Sequence, residues 1–150
     1  PINEEMFWAQ DGKGAYLNGK KIQVNQKTKL KECLITIGTS PYSRQNTQEM
    51  FALFEKIFVQ CSDIRRLGSA ALDICYTACG RMDGFLEAGL HIWDYAAALI
   101  ILKEAGGKAT DFSGKPVKID KFVSDIAAAN ADINKSLINI IGGFDVYKRS

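Results

Sequence analysis

The turn Gly68-Ser69-Ala70 is a first candidate for a ligand-binding position. It lies where a short apolar strand segment gives way to a predicted buried helix. Small residues at a helix N-terminus let a ligand approach free backbone N–H groups, and the helix dipole there favours anions and oxygen-rich groups. The same residues also fit an ordinary turn, in which Gly68 bends the chain and Ser69 caps the helix. The sequence is compatible with either role.

Asp94 is a candidate ligand for a hard metal ion. It ends the run His91-Ile92-Trp93-Asp94 at the predicted start of a helix. Mg²⁺ takes carboxylate oxygens and is often held by a few carboxylates together with substrate phosphate. An aspartate at a helix start is also a typical N-cap, and one carboxylate supplies only part of a magnesium site. His91, the only histidine, is expected to form local hydrogen bonds rather than to bind metal.

Glu87 is a third candidate, and it ends a predicted apolar strand before Ala88-Gly89. A carboxylate there can accept hydrogen bonds from substrate hydroxyls, and it can equally form an ion pair with Arg65, Arg66 or Arg81. All three candidates lie at junctions between strands and helices. Ligands of open α/β sheets usually bind at the carboxyl ends of strands, so each is a plausible ligand contact.

The elements that position these groups change in pattern near residue 30. In residues 1–30 the turns Asp11-Gly12-Lys13-Gly14 and Asn18-Gly19 separate short strand-like runs, which predicts a hairpin followed by a third strand. Because these strands have no further partner, we expect them to form the edge of an N-terminal sheet in a longer protein. Residues 31–150 are expected to form an α/β domain.

Residues 31–150 alternate between short strand segments and apolar helical segments. Helices are predicted after a capping-box variant at Asn46 and Glu49, and over 70–79, 94–105 and 133–141. Short strands are predicted over 34–38, 64–67, 84–87, 108–112 and 126–129. This alternation predicts a layered α/β fold with a mixed sheet covered by helices.

Composition argues against several classes of function. The 150 residues carry 19 Lys+Arg and 17 Asp+Glu, a net charge of +2 that does not imply nucleic-acid binding. No apolar run approaches 18 residues, and no basic segment followed by an apolar one opens the chain, so neither a membrane span nor a secretory signal is expected. None of the four cysteines is spaced as CxxC, which argues against a zinc finger. We expect a reduced, cytoplasmic protein in which Cys75 and Cys79 are buried, inert thiols on one side of a helix, with a redox or disulfide role as the alternative.

Four motifs in order resemble the C-terminal half of the inositol monophosphatase family. They are Leu67-Gly68-Ser69-Ala70-Ala71-Leu72-Asp73, Gly80-Arg81-Met82-Asp83-Gly84-Phe85-Leu86-Glu87, Trp93-Asp94-Tyr95-Ala96-Ala97 and Lys103-Glu104-Ala105-Gly106-Gly107. The opening run over residues 7–19 resembles the hairpin that precedes this half. The resemblance implies a layered αβαβα sugar-phosphatase-like fold and an Mg²⁺-dependent phosphomonoesterase, in which metal ions bind the phosphate and activate a water.

The resemblance also implies roles for individual residues. Asp94 matches the metal-binding aspartate of the Trp-Asp motif, Glu87 matches the residue that binds an inositol hydroxyl, and Gly68-Ser69-Ala70 match a segment that contacts the substrate. The family's Asp-Pro-x-Asp-Gly-Thr motif, which supplies further metal ligands, does not occur in these 150 residues.

The resemblance implies that the complete protein hydrolyses inositol monophosphate or a related sugar phosphate, and that it is a homodimer. Because the motif is missing, the chain by itself is expected to be inactive, with the N-terminal half of the same protein as its missing partner. The alternative is a non-catalytic module that binds a sugar phosphate or a protein partner.

Overall fold

The computed structural model describes residues 4–40 and 44–144. The strands are β1 (Phe7–Gln10), β2 (Gly14–Leu17), β3 (Lys20–Ile22), β4 (Leu34–Ile37), β5 (Asp63–Arg65), β6 (Gly84–His91), β7 (Lys108–Thr110) and β8 (Val123–Ala129). The helices are α1 (Thr47–Phe58), α2 (Ala70–Ala78), α3 (Ile92–Glu104) and α4 (Ala131–Ile141). The alternation predicted from residue 31 onward is confirmed.

Five strands form a mixed sheet in the order β5-β4-β6-β8-β7. Strand β4 runs parallel to both β5 and β6, whereas β8 runs antiparallel to β6 and β7. Successive side chains of a strand point to opposite faces, and in β6 Phe85 and Leu86 accordingly belong to two different apolar clusters. Helices α2 and α3 cover one face, and helices α1 and α4 cover the other. The predicted α/β fold with a mixed sheet between helices is therefore confirmed.

The first three strands form a separate antiparallel sheet in the order β1-β2-β3. Ala15 in β2 and Val24 just after β3 are buried, and both belong to the apolar cluster that contains side chains of α2 and α3. The carboxylate of Glu104, at the end of α3, accepts hydrogen bonds from Gly12 N–H at 3.0 Å and from Gly14 N–H at 2.8 Å. The small sheet thus packs against the helices α2 and α3, which cover one face of the larger sheet.

Several local predictions differ from the structure: α4 and β8 begin earlier than predicted, at Ala131 and Val123, and three further differences concern α1, β6 and α3. Asn46 is the N-cap of α1, but its side chain makes no capping hydrogen bond, so the predicted capping box does not form. Strand β6 continues past Glu87 to His91, because β8 pairs with it as far as Val123. Helix α3 begins at Ile92, directly after that strand, two residues earlier than predicted.

The four cysteines are free thiols, as expected. Of the two thiols predicted to be buried, Cys75 is buried and Cys79 is only partly buried; Cys33 is buried and Cys61 is partly buried. Burial raises the pKa of the Cys33 thiol to about 12 and that of Cys75 to about 11. Thiols with such high pKa values are poor nucleophiles near neutral pH.

Candidate functional site

The turn between β5 and α2 is built around Gly68 and Ser69. Gly68 has a φ of +93°, a left-handed conformation that a residue with a Cβ adopts only under strain. Ser69 is the N-cap of α2, and its hydroxyl accepts a hydrogen bond from Leu72 N–H at 3.5 Å. The capping role predicted for Ser69 is thereby confirmed. Its role as a ligand contact stays a prediction.

Glu87 lies inside β6 rather than at its end, on the same face of the sheet as α2. Its Oε1 accepts a hydrogen bond from the backbone N–H of Ser40 at 3.2 Å. Its carboxyl lies against Gly38, where a Cβ would stand only 1.9 Å from the Glu87 carboxyl carbon. A glycine directly after β4 is therefore needed to make room for this side chain.

Ser40, whose N–H donates to Glu87, has a strained backbone conformation. Its φ is +42°, which is uncommon for a residue other than glycine. Its hydroxyl donates to the carbonyl oxygen of Ala88 at 2.5 Å, next to Glu87. Strain of this kind persists only where surrounding contacts enforce it, and it is concentrated at functional sites. No sequence motif pointed to Ser40.

The three arginines that were alternative ion-pair partners for Glu87 contact other groups. Arg65 pairs with Asp63, and Arg81 pairs with Glu5 through a 2.9 Å contact from its Nη1. Arg66 donates from Nε to the Thr39 hydroxyl at 3.1 Å. Arg65 and Arg81 are thus paired with other carboxylates, whereas the charge of Arg66 still acts on Glu87.

The pKa of Glu87 is raised above its usual value, chiefly because the carboxyl is partly buried. The Ser40 N–H and the positive charge of Arg66 lower this pKa, whereas the negative charges of Asp73 and Asp94 raise it. Asp73 and Asp94 are thus within range for their charges to act on the Glu87 carboxyl.

Asp94 is the third residue of α3 and not its N-cap. The N-cap is His91, whose backbone N–H donates to Asp94 Oδ2 at 3.0 Å. The side chain of Asp94 is 38% exposed, and His91 Nδ1 lies 3.9 Å from the same oxygen. The carboxylate is thus oriented by the helix start and remains accessible from solvent.

Asp73 is a buried carboxyl that the sequence analysis did not single out as a candidate site residue. It is the fourth residue of α2 and is only 1% exposed. Burial raises its pKa to about 6, whereas hydrogen bonds from the Thr36 hydroxyl and the Ser69 N–H and the charge of Arg66 lower it. One signal was available in the sequence, namely an aspartate inside an apolar helical run. Such a strongly perturbed carboxyl in a cluster is typical of functional sites.

The described residues do not form a complete metal site. Within residues 4–40 and 44–144, no group of three or more His, Cys, Asp or Glu side chains is arranged to hold a metal ion. Asp94 could supply one oxygen ligand, but Mg²⁺ needs about six in octahedral geometry. A groove of about 670 Å³ is lined by residues such as Leu53, Phe112 and Lys115, and none of the predicted site residues lines it. In the part of the chain that the structure describes, no helix is long and apolar enough to span a membrane.

Comparison with known proteins adds independent findings. The sequence profile of the inositol monophosphatase family matches residues 1–141. The Nus factor SuhB of Xylella fastidiosa is 42% identical over 114 residues, which cover 76% of this chain and 42% of that protein. The inositol-1-monophosphatase of Mesorhizobium japonicum is 35% identical over 141 residues, covering 94% of this chain and 52% of that protein. The crystal structure of the extragenic suppressor protein SuhB from Bartonella henselae superposes with a TM-score of 0.86 at 36% identity, over 94% of this chain and 53% of that one. The chain thus spans about half the length of the relatives it matches.

Proposed function

The chain belongs to the inositol monophosphatase family, and from this premise we propose that it forms part of an Mg²⁺-dependent phosphomonoesterase. The proposed substrate is inositol monophosphate or a related sugar phosphate. The observation that supports this most strongly is the partly buried carboxyl of Glu87, whose pKa is raised by burial and by the negative charges of Asp73 and Asp94 and lowered by Arg66. The name of the Mesorhizobium relative favours the same chemistry.

Each site residue has a proposed role that its environment permits. Glu87 accepts a hydrogen bond from a substrate hydroxyl. The Ser40 N–H donates to Oε1 of Glu87, and the other carboxyl oxygen is the proposed acceptor. Asp94 supplies one oxygen ligand to Mg²⁺ from its exposed carboxylate. The turn Gly68-Ser69-Ala70 presents first-turn N–H groups of α2, which have no acceptor within the helix. These groups bind hydroxyl or phosphate oxygens of the substrate.

Activity is proposed for the complete protein and not for this chain alone. One carboxylate cannot supply the charge and the geometry of a magnesium site, so the remaining ligands are expected from an N-terminal half. In this proposal, residues 1–30 form the edge of the N-terminal sheet and residues 31–150 form the C-terminal α/β domain. We also propose a homodimer in the cytoplasm.

The test compares the chain with the complete protein in which it occurs. The intact mass of the natural protein, measured under denaturing conditions, shows whether further residues exist beyond the 16.5 kDa of the chain. Phosphate release from inositol 1-phosphate is then measured with and without Mg²⁺. We expect no turnover by the chain, Mg²⁺-dependent turnover by the complete protein, and loss of that turnover in Asp94→Asn. The control Asp120→Asn changes an exposed carboxylate and should retain activity. Turnover by the purified chain, or full activity of Asp94→Asn, would contradict the proposal.

A non-catalytic binding module is the alternative. It is favoured by the Nus factor names among the relatives and by exposed aromatic side chains beside Asp94. Trp93 is 67% exposed and Phe122 is 62% exposed, and their ring centroids lie 5.0 Å apart. Binding of a fluorescent apolar dye, or concentration-dependent association, by a complete protein that hydrolyses no phosphate ester would favour this alternative.

A further inference from the structure

The turn that follows β4 reaches across to three successive residues of β6. The Gly38 N–H donates to the Leu86 carbonyl oxygen at 2.9 Å, directly after the last parallel pair between β4 and β6. The Ser40 N–H then donates to Oε1 of Glu87 at 3.2 Å, and the Ser40 hydroxyl donates to the Ala88 carbonyl oxygen at 2.5 Å. One serine thus binds both the side chain of Glu87 and the backbone next to it.

The hydroxyl of Ser40 is bonded within an irregular stretch of β6. The register between β6 and β8 shifts between Glu87 and Leu90. Within this stretch the Gly89 N–H donates to Oδ1 of Asp125 at 2.8 Å, a side-chain oxygen rather than a strand carbonyl. Irregularities of this kind bend a strand and redirect its side chains, and bulges are common next to active sites. Ser40 therefore holds β6 at the point where regular pairing with β8 is interrupted.

The residues of this turn fit the Glu87 carboxyl closely. The φ of +42° at Ser40 lies in the left-handed region, which glycine adopts freely and a residue with a Cβ only rarely. A glycine would relieve this strain, but it would lose the hydroxyl that binds the Ala88 carbonyl oxygen. At Gly38 the requirement is the opposite, because a Cβ there would overlap with the Glu87 carboxyl. The space above residue 38 and the N–H of residue 40 together confine the carboxyl.

The same turn also contacts the segment that precedes α2. The Thr39 hydroxyl accepts a hydrogen bond from Nε of Arg66 at 3.1 Å. Nη1 of Arg66 lies 3.5 Å from the point that a Cβ of Gly68 would occupy. The turn after β4 thus connects the strand that carries Glu87 with the turn at Gly68, and both are predicted to contact substrate.

We propose that Ser40 is a positioning residue for Glu87, which holds one oxygen of the carboxylate so that the other accepts a hydrogen bond from a substrate hydroxyl. The proposal rests on the proposed function for the identity of the substrate. Ser40 acts through Glu87 and not through a contact of its own with the substrate. A carboxylate fixed in this way recognises a hydroxyl at one position of the substrate ring. It adds nothing to the binding of the phosphate group.

The first test detects the contact without relying on catalysis. In the complete protein, the Ser40 amide resonance is compared between the parent and Glu87→Gln, with Glu49→Gln, which changes an exposed acid on α1, as the control. We expect the resonance to shift in Glu87→Gln, because a charge-assisted hydrogen bond is replaced by a weaker neutral one. Glu49→Gln should leave it in place. An unchanged Ser40 resonance in Glu87→Gln would overturn the proposal.

The second test measures substrate preference in the complete protein. The probes are inositol 1-phosphate, as substrate, and cyclohexyl phosphate, as a competing ligand with the same ring and phosphate but without free hydroxyls. We expect Ser40→Ala to lower kcat/KM for inositol 1-phosphate about fivefold, which corresponds to about one hydrogen bond. The inhibition constant of cyclohexyl phosphate should change less than about twofold. Equal changes for the two probes, or no change in either, would overturn the proposal.

Ser136→Ala is the matched control for this measurement. The Ser136 hydroxyl also donates to a backbone carbonyl oxygen, that of Asp132 at 3.0 Å, but it lies in α4 on the opposite face of the large sheet. The variant should leave the values for both probes as they are in the parent. A loss of preference in Ser136→Ala equal to that in Ser40→Ala would overturn the proposal.

Ser40→Gly keeps the test decisive if Ser40→Ala does not fold. It removes the same hydroxyl but adopts the left-handed backbone without strain. We expect the same loss of preference for inositol 1-phosphate, with a smaller loss of thermal stability. An unaltered preference in Ser40→Gly would show that the serine supports only the turn, and it would overturn the proposal.

A double-mutant comparison tests whether Ser40 acts through Glu87. In a Glu87→Ala background the carboxylate is absent, so Ser40→Ala should change kcat/KM for inositol 1-phosphate less than about twofold. An equal loss in both backgrounds would mean that Ser40 acts independently of Glu87 and would overturn the proposal. If the parent protein hydrolyses no phosphate ester, the proposed function fails, and the Ser40 amide resonance still decides whether Ser40 holds the Glu87 carboxylate.

Discussion

Replacing Asp73 by asparagine should stabilise the chain at neutral pH, and the gain should depend on pH. An aspartate has an ordinary pKa of 3.8, and burial raises that of Asp73 to about 6. Between these two pH values the folded chain keeps a proton that the unfolded chain has released. The contribution of Asp73 to the free energy of unfolding therefore falls as pH rises through this window, and above pH 6 it stays low.

The size of the effect follows from the difference between the two pKa values. That difference is about two units, and each unit corresponds to about 1.4 kcal/mol, so the ionised Asp73 lowers the free energy of unfolding by about 3 kcal/mol. Because asparagine carries no charge, Asp73→Asn avoids this cost. We expect the variant to resemble the parent near pH 4 and to exceed its free energy of unfolding by up to about 3 kcal/mol at pH 7.5.

Urea unfolding at several pH values, followed by far-UV circular dichroism, measures this difference. Asp132→Asn, an exposed acid at another helix start, should stay within about 0.5 kcal/mol of the parent at pH 7.5. The reasoning is refuted if Asp73→Asn is less stable than the parent at pH 7.5, or if the difference between them does not change with pH. Either result would mean that the ionised Asp73 carboxyl does not destabilise the folded chain.

Three further predictions concern the site and its support. Gly38→Ala should displace the Glu87 carboxyl and shift the Ser40 amide resonance, whereas Gly142→Ala, at a helical φ of −60°, should leave both unchanged. Ser69→Ala should lower the free energy of unfolding by about 1 kcal/mol through loss of the α2 cap, while Ser69→Thr, which retains a hydroxyl, should cost less; urea unfolding measures both. Glu104→Gln should speed hydrogen exchange at the two amides of the first hairpin turn that it binds, and unchanged exchange would contradict a fastening role.

The local features of the site were predictable because short-range rules decide them. A glycine and a serine before an apolar run predict a turn and a capped helix, and α2 begins at Ala70 as those rules require. The fold class followed from the alternation of short apolar runs with longer helical ones. The family followed from motifs spread over most of the chain, and the match to residues 1–141 confirms it.

The position of Asp94 shows how a neighbouring strand changes a local prediction. An aspartate near a helix start can be the N-cap, or it can be the third helical residue, whose carboxylate accepts a hydrogen bond from the backbone N–H of the N-cap. Pairing with β8 extends β6 to His91, so α3 starts at once and Asp94 becomes its third residue. The helix boundary was therefore set by a strand some thirty residues later in the sequence.

The sequence by itself determined the alternating α/β pattern, the capped turn at Ser69 and the family, since each depends on residue types at short or characteristic spacing. Only the tertiary structure decided that Asp73 is buried, that Gly38 makes room for the Glu87 side chain, and that Ser40 donates to Glu87 from a strained backbone conformation. The physical reason is that burial and electrostatic coupling depend on which strands become neighbours. Strand β4 joins β6 across nearly fifty residues of chain, and no local pattern specifies that contact.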